Sequence, residues 1–138
     1  MPIIADLPAS TDSVRSDLAA MLIGILDAAG VDTYLIDDLK GMNQLPANYA
    51  ELHLSTRGRG DVRRAGRAVP TGYRAQVRVV CGTVGNAYLA LDRADTALTG
   101  RRITVAGQES TPLDAQPSDL PAEDDGYYSA LAEWTFTL

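Results

Sequence analysis

The stretch Tyr73-Arg74-Ala75-Gln76-Val77-Arg78-Val79-Val80-Cys81-Gly82 decides the fold. Ala75, Val77, Val79 and Cys81 alternate with Arg74, Gln76 and Arg78. That period of two belongs to a strand with one buried and one wet face. Upstream, Tyr49–Thr56 alternates in the same way, with Ala50, Leu52 and Leu54 opposite Glu51, His53 and Ser55. Between the two, Arg57–Gly72 carries four Gly and one Pro and reads as a loop. Two half-solvated strands in succession, with no helix between them, predict an antiparallel or mixed sheet rather than a doubly wound one.

Working outward toward the N-terminus, Ser10-Thr11-Asp12-Ser13 supplies N-cap oxygens ahead of an apolar run. Val14, Leu18, Met21, Leu22, Ile25, Leu26 and Ala29 follow at helical spacing, so a helix is predicted over 13–29 with Gly30 as its C′ residue. Val31–Ile36 reads as a short strand and Gly41 to Pro46 as a turn. Toward the C-terminus, Asn86 caps a second helix to Leu98, striped by Ala87, Leu91, Ala94 and Leu98 and closed by Thr99-Gly100. Arg102–Ala106 is a short strand and Glu109–Gly126 a Pro- and Asp-bearing loop. Tyr127–Leu138 is a long strand with Tyr128, Ala130, Ala132, Trp134, Phe136 and Leu138 on one face. The order α-β-β-β-α-β-β predicts an α+β fold: a mixed or antiparallel sheet packed against two amphipathic helices, with long projecting loops.

At 138 residues and 46% apolar content, a single domain over 1–138 is expected. A chain of that size buries roughly 68% of its unfolded surface and needs neither metal nor disulfides for a core. The lone Cys81 follows Val79-Val80 and reads as a buried small hydrophobe. The N-terminus has no basic region and no long apolar run, and Leu18–Leu26 falls short of the roughly 20 residues of a spanning helix. A soluble protein of a reducing compartment, without membrane contact, is the expectation.

The net charge of −6 argues against whole-body affinity for nucleic acid. Yet five of the eleven Arg crowd into Arg57-Gly58-Arg59-Gly60-Asp61-Val62-Arg63-Arg64-Ala65-Gly66-Arg67. Guanidiniums at 57, 59, 63, 64 and 67 can clamp phosphates or carboxylates; a solvated hairpin tip is the other reading. No stacking aromatic lies among them. An acidic surface on a neighbouring copy would satisfy them equally well. Arg59-Gly60-Asp61 is assigned to chance, which supplies roughly 0.1 such tripeptides in a chain of this composition.

No catalytic, cofactor or metal residues are assigned. His53 is the sole histidine and lies on a polar strand face beside Glu51 and Ser55, without a nucleophile elbow. Asp37 and Asp38, if extended, point to opposite faces. Asp92 and Asp95 read as a hydrated helix face, and Glu123-Asp124-Asp125 lacks the alternating ligands of a calcium loop.

Two stretches carry a family resemblance: Ser13–Gly30 running into Val31–Ile36, and Tyr73–Gly82 followed by Asn86–Leu98, Arg102–Ala106, a polar loop and Tyr127–Leu138. In element order and length over most of the chain, this resembles the tail terminator proteins of long-tailed bacteriophages, the minor tail protein U or neck class. The resemblance implies a virion structural protein with no enzymatic activity. Such proteins form a homohexameric ring on the tail tube protein, stop tube polymerisation and receive the head's connector or head-completion protein. It implies a virion location at the head–tail interface, reached from the host cytoplasm, and DNA that passes the channel without specific binding. Arg57, Arg59, Arg63, Arg64 and Arg67 then become candidates for contact with a neighbouring subunit or the tube. The other readings are a different neck component, or a small nucleic-acid-binding protein acting through the Arg57–Arg67 loop.

Overall fold

Helix α1 (Ser10–Ala28) leads the computed structural model, which describes residues 10–59 and 71–138. Leu18, Leu22 and Leu26 recur every fourth residue and are fully buried, with Val14, Ile23 and Ile25 packed along the flanks. The helix stops where predicted. Gly30 takes φ +89°, its N–H donates to the Asp27 carbonyl at 3.0 Å, and the Val31 N–H donates to Leu26 at 2.9 Å. These two bonds make a Schellman cap, and the buried pair Val31 and Leu26 adds its apolar contact.

The predicted strand Val31–Ile36 shrinks to β1 (Thr33–Leu35), anchored by the Thr33 N–H donating to Asp27 Oδ1 at 3.0 Å. Ile36 instead opens a third helix, α2 (Ile36–Lys40). Asp37 and Asp38 in its first turn and Lys40 in its last complement the helix dipole, and Leu39 is buried. The two aspartates are therefore helical rather than extended, and adjacent helical positions also diverge.

Strands β2 (Tyr49–Arg59) and β3 (Thr71–Cys81) form the predicted antiparallel hairpin, but both are longer than expected. Gly58–Arg59 and Thr71–Gly72, read as loop, lie in the ladder beyond a bulge formed by Arg57 between Thr56 and Gly58. Pairing carries them past the last apolar residue: Thr71 and Leu138 exchange two backbone bonds of 3.0 Å on the far side of β3. Helix α3 (Val84–Leu98) begins earlier than expected, because the Thr83 hydroxyl, not Asn86, is its cap; it accepts the Asn86 N–H at 3.1 Å.

The strand expected at Arg102–Ala106 is reduced to β4 (Thr104–Val105), paired with β5 (Gln108–Glu109) in a ribbon of its own. The expected loop Glu109–Gly126 also contains β6 (Asp114–Ala115) and β7 (Ala122–Asp124), both paired with β8 (Tyr127–Thr137). Asp125 and Gly126, at φ +53° and +84°, make the two-residue turn into β8. Only the primed turns match strand twist, and Asp-Gly is a preferred pair for them.

The main sheet runs β1-β2-β3-β8-β6, with β7 on the same side of β8 as β6. Its β1–β2 pair is parallel and the other pairs are antiparallel, so the α+β class with a mixed, mostly antiparallel sheet is as predicted. One face carries α1 and α3 over Ala50, Leu52, Ala75, Val77, Val79, Cys81, Ala130, Ala132, Trp134 and Phe136, all buried in one cluster. The Trp134 indole N–H donates to Thr99 Oγ1 at 2.9 Å, and Tyr73 stacks on Phe136 at 5.5 Å between centroids. Among the described residues no helix is long and apolar enough to cross a membrane.

Replacing Gly30 by Ala should cost about 1–2 kcal/mol, since left-handed backbone disfavours any Cβ. The new carbon would also sit 3.0 Å from Arg93 Nη1. Urea denaturation midpoints measure this loss, and an unchanged midpoint would contradict the cap geometry.

Candidate interface on the open sheet face

The sheet face away from α1 and α3 is built from the polar half of each alternating strand. Register aligns Glu51 with Arg78, His53 with Gln76 and Glu133, and Ser55 with Arg74 and Thr135. Arg74 Nε lies 3.2 Å from Glu133 Oε2, and Arg78 Nη1 lies 3.7 Å from Glu51 Oε1. Gln76 Nε2 donates to Glu133 Oε1 at 3.1 Å, and His53 Nε2 sits 3.4 Å from Glu51 Oε2. The carboxylates lie beneath the cations: side chains of Arg74 and Arg78 are 43% and 42% exposed, against 24% for Glu133 and 12% for Glu51. A partner approaching this face therefore meets guanidinium first.

Arg57 extends that face toward the hairpin end. The bulge leaves it beside Gly72, where its Nε donates to the Tyr73 carbonyl at 3.2 Å. Its Nη2 reaches the Phe136 carbonyl at 3.4 Å and Thr137 Oγ1 at 3.5 Å. A Cβ on residue 72 would lie 3.2 Å from Nη2 and 3.3 Å from Nε, so glycine leaves the space the guanidinium occupies. Arg57, grouped in the sequence with four loop arginines, is a strap across β2, β3 and β8. Arg59 is the last residue of β2. Arg63, Arg64 and Arg67 lie outside the described residues, as do Gly60 and Asp61 of the Arg-Gly-Asp tripeptide.

Acidic residues line the outer side of β8, from Asp114 opposite Thr135 to Asp124 opposite Tyr127. Between 114 and 125 stand Asp114, Asp119, Glu123, Asp124 and Asp125, with no Lys or Arg among them. All five are exposed. Strand β7 pairs with Tyr127–Ser129 at the start of β8, while Gly72 of the Arg hairpin pairs with Thr137 at its end. The acidic turn and the basic hairpin end are therefore separated by about 30 Å along the strands and lie on opposite edges of the sheet. Sequence reading had weighed Glu123-Asp124-Asp125 only as a calcium loop; the run of five acids without a base was the legible signal.

The long C-terminal strand is not an open edge: its outer side is covered by residues 111–124. Thr111, Gln116 and Asp119 donate their N–H groups to the Thr137, Glu133 and Leu131 carbonyls at 2.9, 2.8 and 3.1 Å. Among the remaining candidates, Asp92 and Asp95 are exposed on α3, and Asp95 accepts the Thr99 hydroxyl at 2.6 Å. No group of three potential metal ligands converges among the described residues. Cys81 is buried as expected, and that burial pushes its thiol above the ordinary value. No known protein family's sequence profile matches the chain, and no curated protein matches it in sequence.

Arg57→Ala should lower stability by about 1 kcal/mol through loss of the carbonyl bonds. Arg57→Lys should restore little, because one ammonium cannot span the same acceptors; equilibrium unfolding reads both. Cys81 should react with a bulky aromatic disulfide only after denaturant is added, since a buried neutral thiol is a poor nucleophile. Rapid labelling of the native chain would contradict that placement.

Proposed function

We propose that this chain is a structural subunit of a ring at the head–tail joint of a long-tailed bacteriophage, a tail terminator that caps the tail tube. The observation that carries the reading is the opposition of charge along one sheet: the Arg57–Arg59 end of β2 lies at one end, and Glu123, Asp124 and Asp125 at the other. A closed ring is heterologous, so each subunit must present two different and complementary patches. Basic residues of the β2 end and acidic residues of the β7 turn, about 30 Å apart along the strands, would supply two such patches. Of the elements behind the family resemblance, the two long helices, the strand after Tyr73 and the terminal strand are present, while Val31–Ile36 and Arg102–Ala106 are shorter and the polar loop carries β6 and β7.

In this role the ring needs no chemistry. Its partners are copies of itself, the tail tube protein and the head's connector or head-completion protein, and the virion is its final location. Six copies multiply the net charge of −6, which discourages DNA from adhering in a channel it must traverse. The nucleic-acid-binding alternative has less support. Arg57, Arg74 and Arg78 already engage carbonyls and carboxylates of their own chain, and phosphates would have to displace them.

Added to polymerising tube protein, the chain should stop tube growth and appear as a sixfold ring at tube ends in negative-stain images. Replacing Arg59, Arg63, Arg64 and Arg67 together by Ala should leave the monomer folded and weaken assembly by about tenfold or more. Tubes that grow unchecked overturn the terminator reading. Duplex DNA binding that falls log-linearly with salt, without self-association, would support the nucleic-acid alternative instead.

A further inference from the structure

We infer that the distal edge of β2 is a strand-pairing site for a second copy of this chain, filled by the acidic edge strand β7 of the neighbour. The inference takes its partner from the ring reading above. Strand β1 covers only Ala50–Leu52 before the chain turns into α2, so among the described residues β2 has no strand on that side from His53 onward. The Ala50 N–H donates to the Asp32 carbonyl at 2.8 Å on the β1 side. Backbone groups alternate along a strand, so Leu54 and Thr56 direct their N–H and C=O to the same, open side. The bulge after Thr56 ends the regular stretch. What is left is a short docking edge with two outward-facing residues.

A matching edge lies at the opposite corner. The carbonyls of Leu131, Glu133 and Thr137 face the 111–119 segment, so the odd residues of β8 point that way. Ser129, the partner of Ala122, does the same. Ala122 and Asp124 then turn their backbone groups toward β8, and Glu123 turns its N–H and C=O outward. One outward residue between two flanking ones can exchange two hydrogen bonds with the Leu54–Thr56 edge.

Charge selects this occupant over others. The 53–59 stretch of β2 holds His53, Arg57 and Arg59 and no carboxylate, so pairing two β2 edges would bring no opposite charge together. Strand β7 and its turn bring Glu123, Asp124 and Asp125 and no base. Because the two edges sit on opposite sides of one sheet, head-to-tail pairing continues a sheet from copy to copy around a closed ring.

Two proline variants test this without disturbing either strand's inward bonds, since both remove an outward N–H from an edge position. Wild-type chain, Thr56→Pro, Glu123→Pro and an equimolar mixture of the two variants are compared by sedimentation velocity at low salt. Folding of each is followed by circular dichroism. Wild type is expected to assemble. Each variant alone should stay monomeric, with association weakened by at least about 100-fold, the loss expected for two hydrogen bonds. The mixture should yield a dimer and nothing larger, joined through its one intact pair of edges. Hydrogen exchange of the wild-type Leu54 and Thr56 amides gives an answer even where a variant fails to fold. It should be fast in the monomer and slowed by at least about 100-fold on assembly. Rings that persist in Thr56→Pro, or amides that stay unprotected, overturn the edge pairing and leave the terminator reading standing. A wild-type chain monomeric at about 1 mM also overturns the edge pairing, and tube capping then decides the terminator reading separately.

Discussion

Ten consecutive residue pairs between β3 and β8, from Gly72 opposite Thr137 to Cys81 opposite Tyr128, hold the rest of the molecule in place. In this register Tyr73 meets Phe136, Ala75 meets Trp134, Val77 meets Ala132 and Val79 meets Ala130, all on the helix-covered face. A slip of one residue would send Arg74, Gln76 and Arg78 into the core. The alternation of small against large, above all Ala75 beneath Trp134, leaves room for α3, whose Thr99 end accepts the indole N–H. The outer side of β8 in turn organises residues 111–124, which contain too little apolar surface to order themselves.

The same register writes the polar face. Once the inward residues are set, Arg74, Gln76 and Arg78 must line up with Glu51, His53 and Glu133. Ion pairs between such partly exposed partners contribute little each, about 0–1 kcal/mol. Their effect here is on the surface presented, with carboxylates below and guanidiniums above. Arg57 belongs to this face, and its strap over Gly72 ties the hairpin end to β8.

Charge asymmetry is the property that the fold adds to the composition. A net charge of −6 spread evenly would favour solubility and little else. Folding instead places Arg57 and Arg59 toward one end of the sheet and Glu123, Asp124 and Asp125 at the other. The distal part of β2 lies toward the first of these ends and β7 at the second. A subunit so polarised is suited to head-to-tail contacts more than to self-complementary ones.

Much of the fold was legible because burial imposes a period. Leu18, Leu22 and Leu26 announce α1, the Ala75–Cys81 and Ala130–Phe136 alternations announce β3 and β8, and Gly30 marks its own cap. The misreadings lie where no period operates. Short elements such as α2, β6 and β7 have too few apolar residues to signal themselves, and tertiary hydrogen bonds decide them. Asp125-Gly126 was readable as a hairpin turn from local chemistry alone. By itself, then, the sequence determined which residues face the core and that an Arg cluster lies between two strands. Only the tertiary structure decided that Arg57 is a strap, that β8 is a covered strand and that Glu123–Asp125 lie at the far end of the sheet from Arg57. Those outcomes depend on which strands become neighbours, a choice made by contacts between residues distant in the chain and invisible to any local pattern.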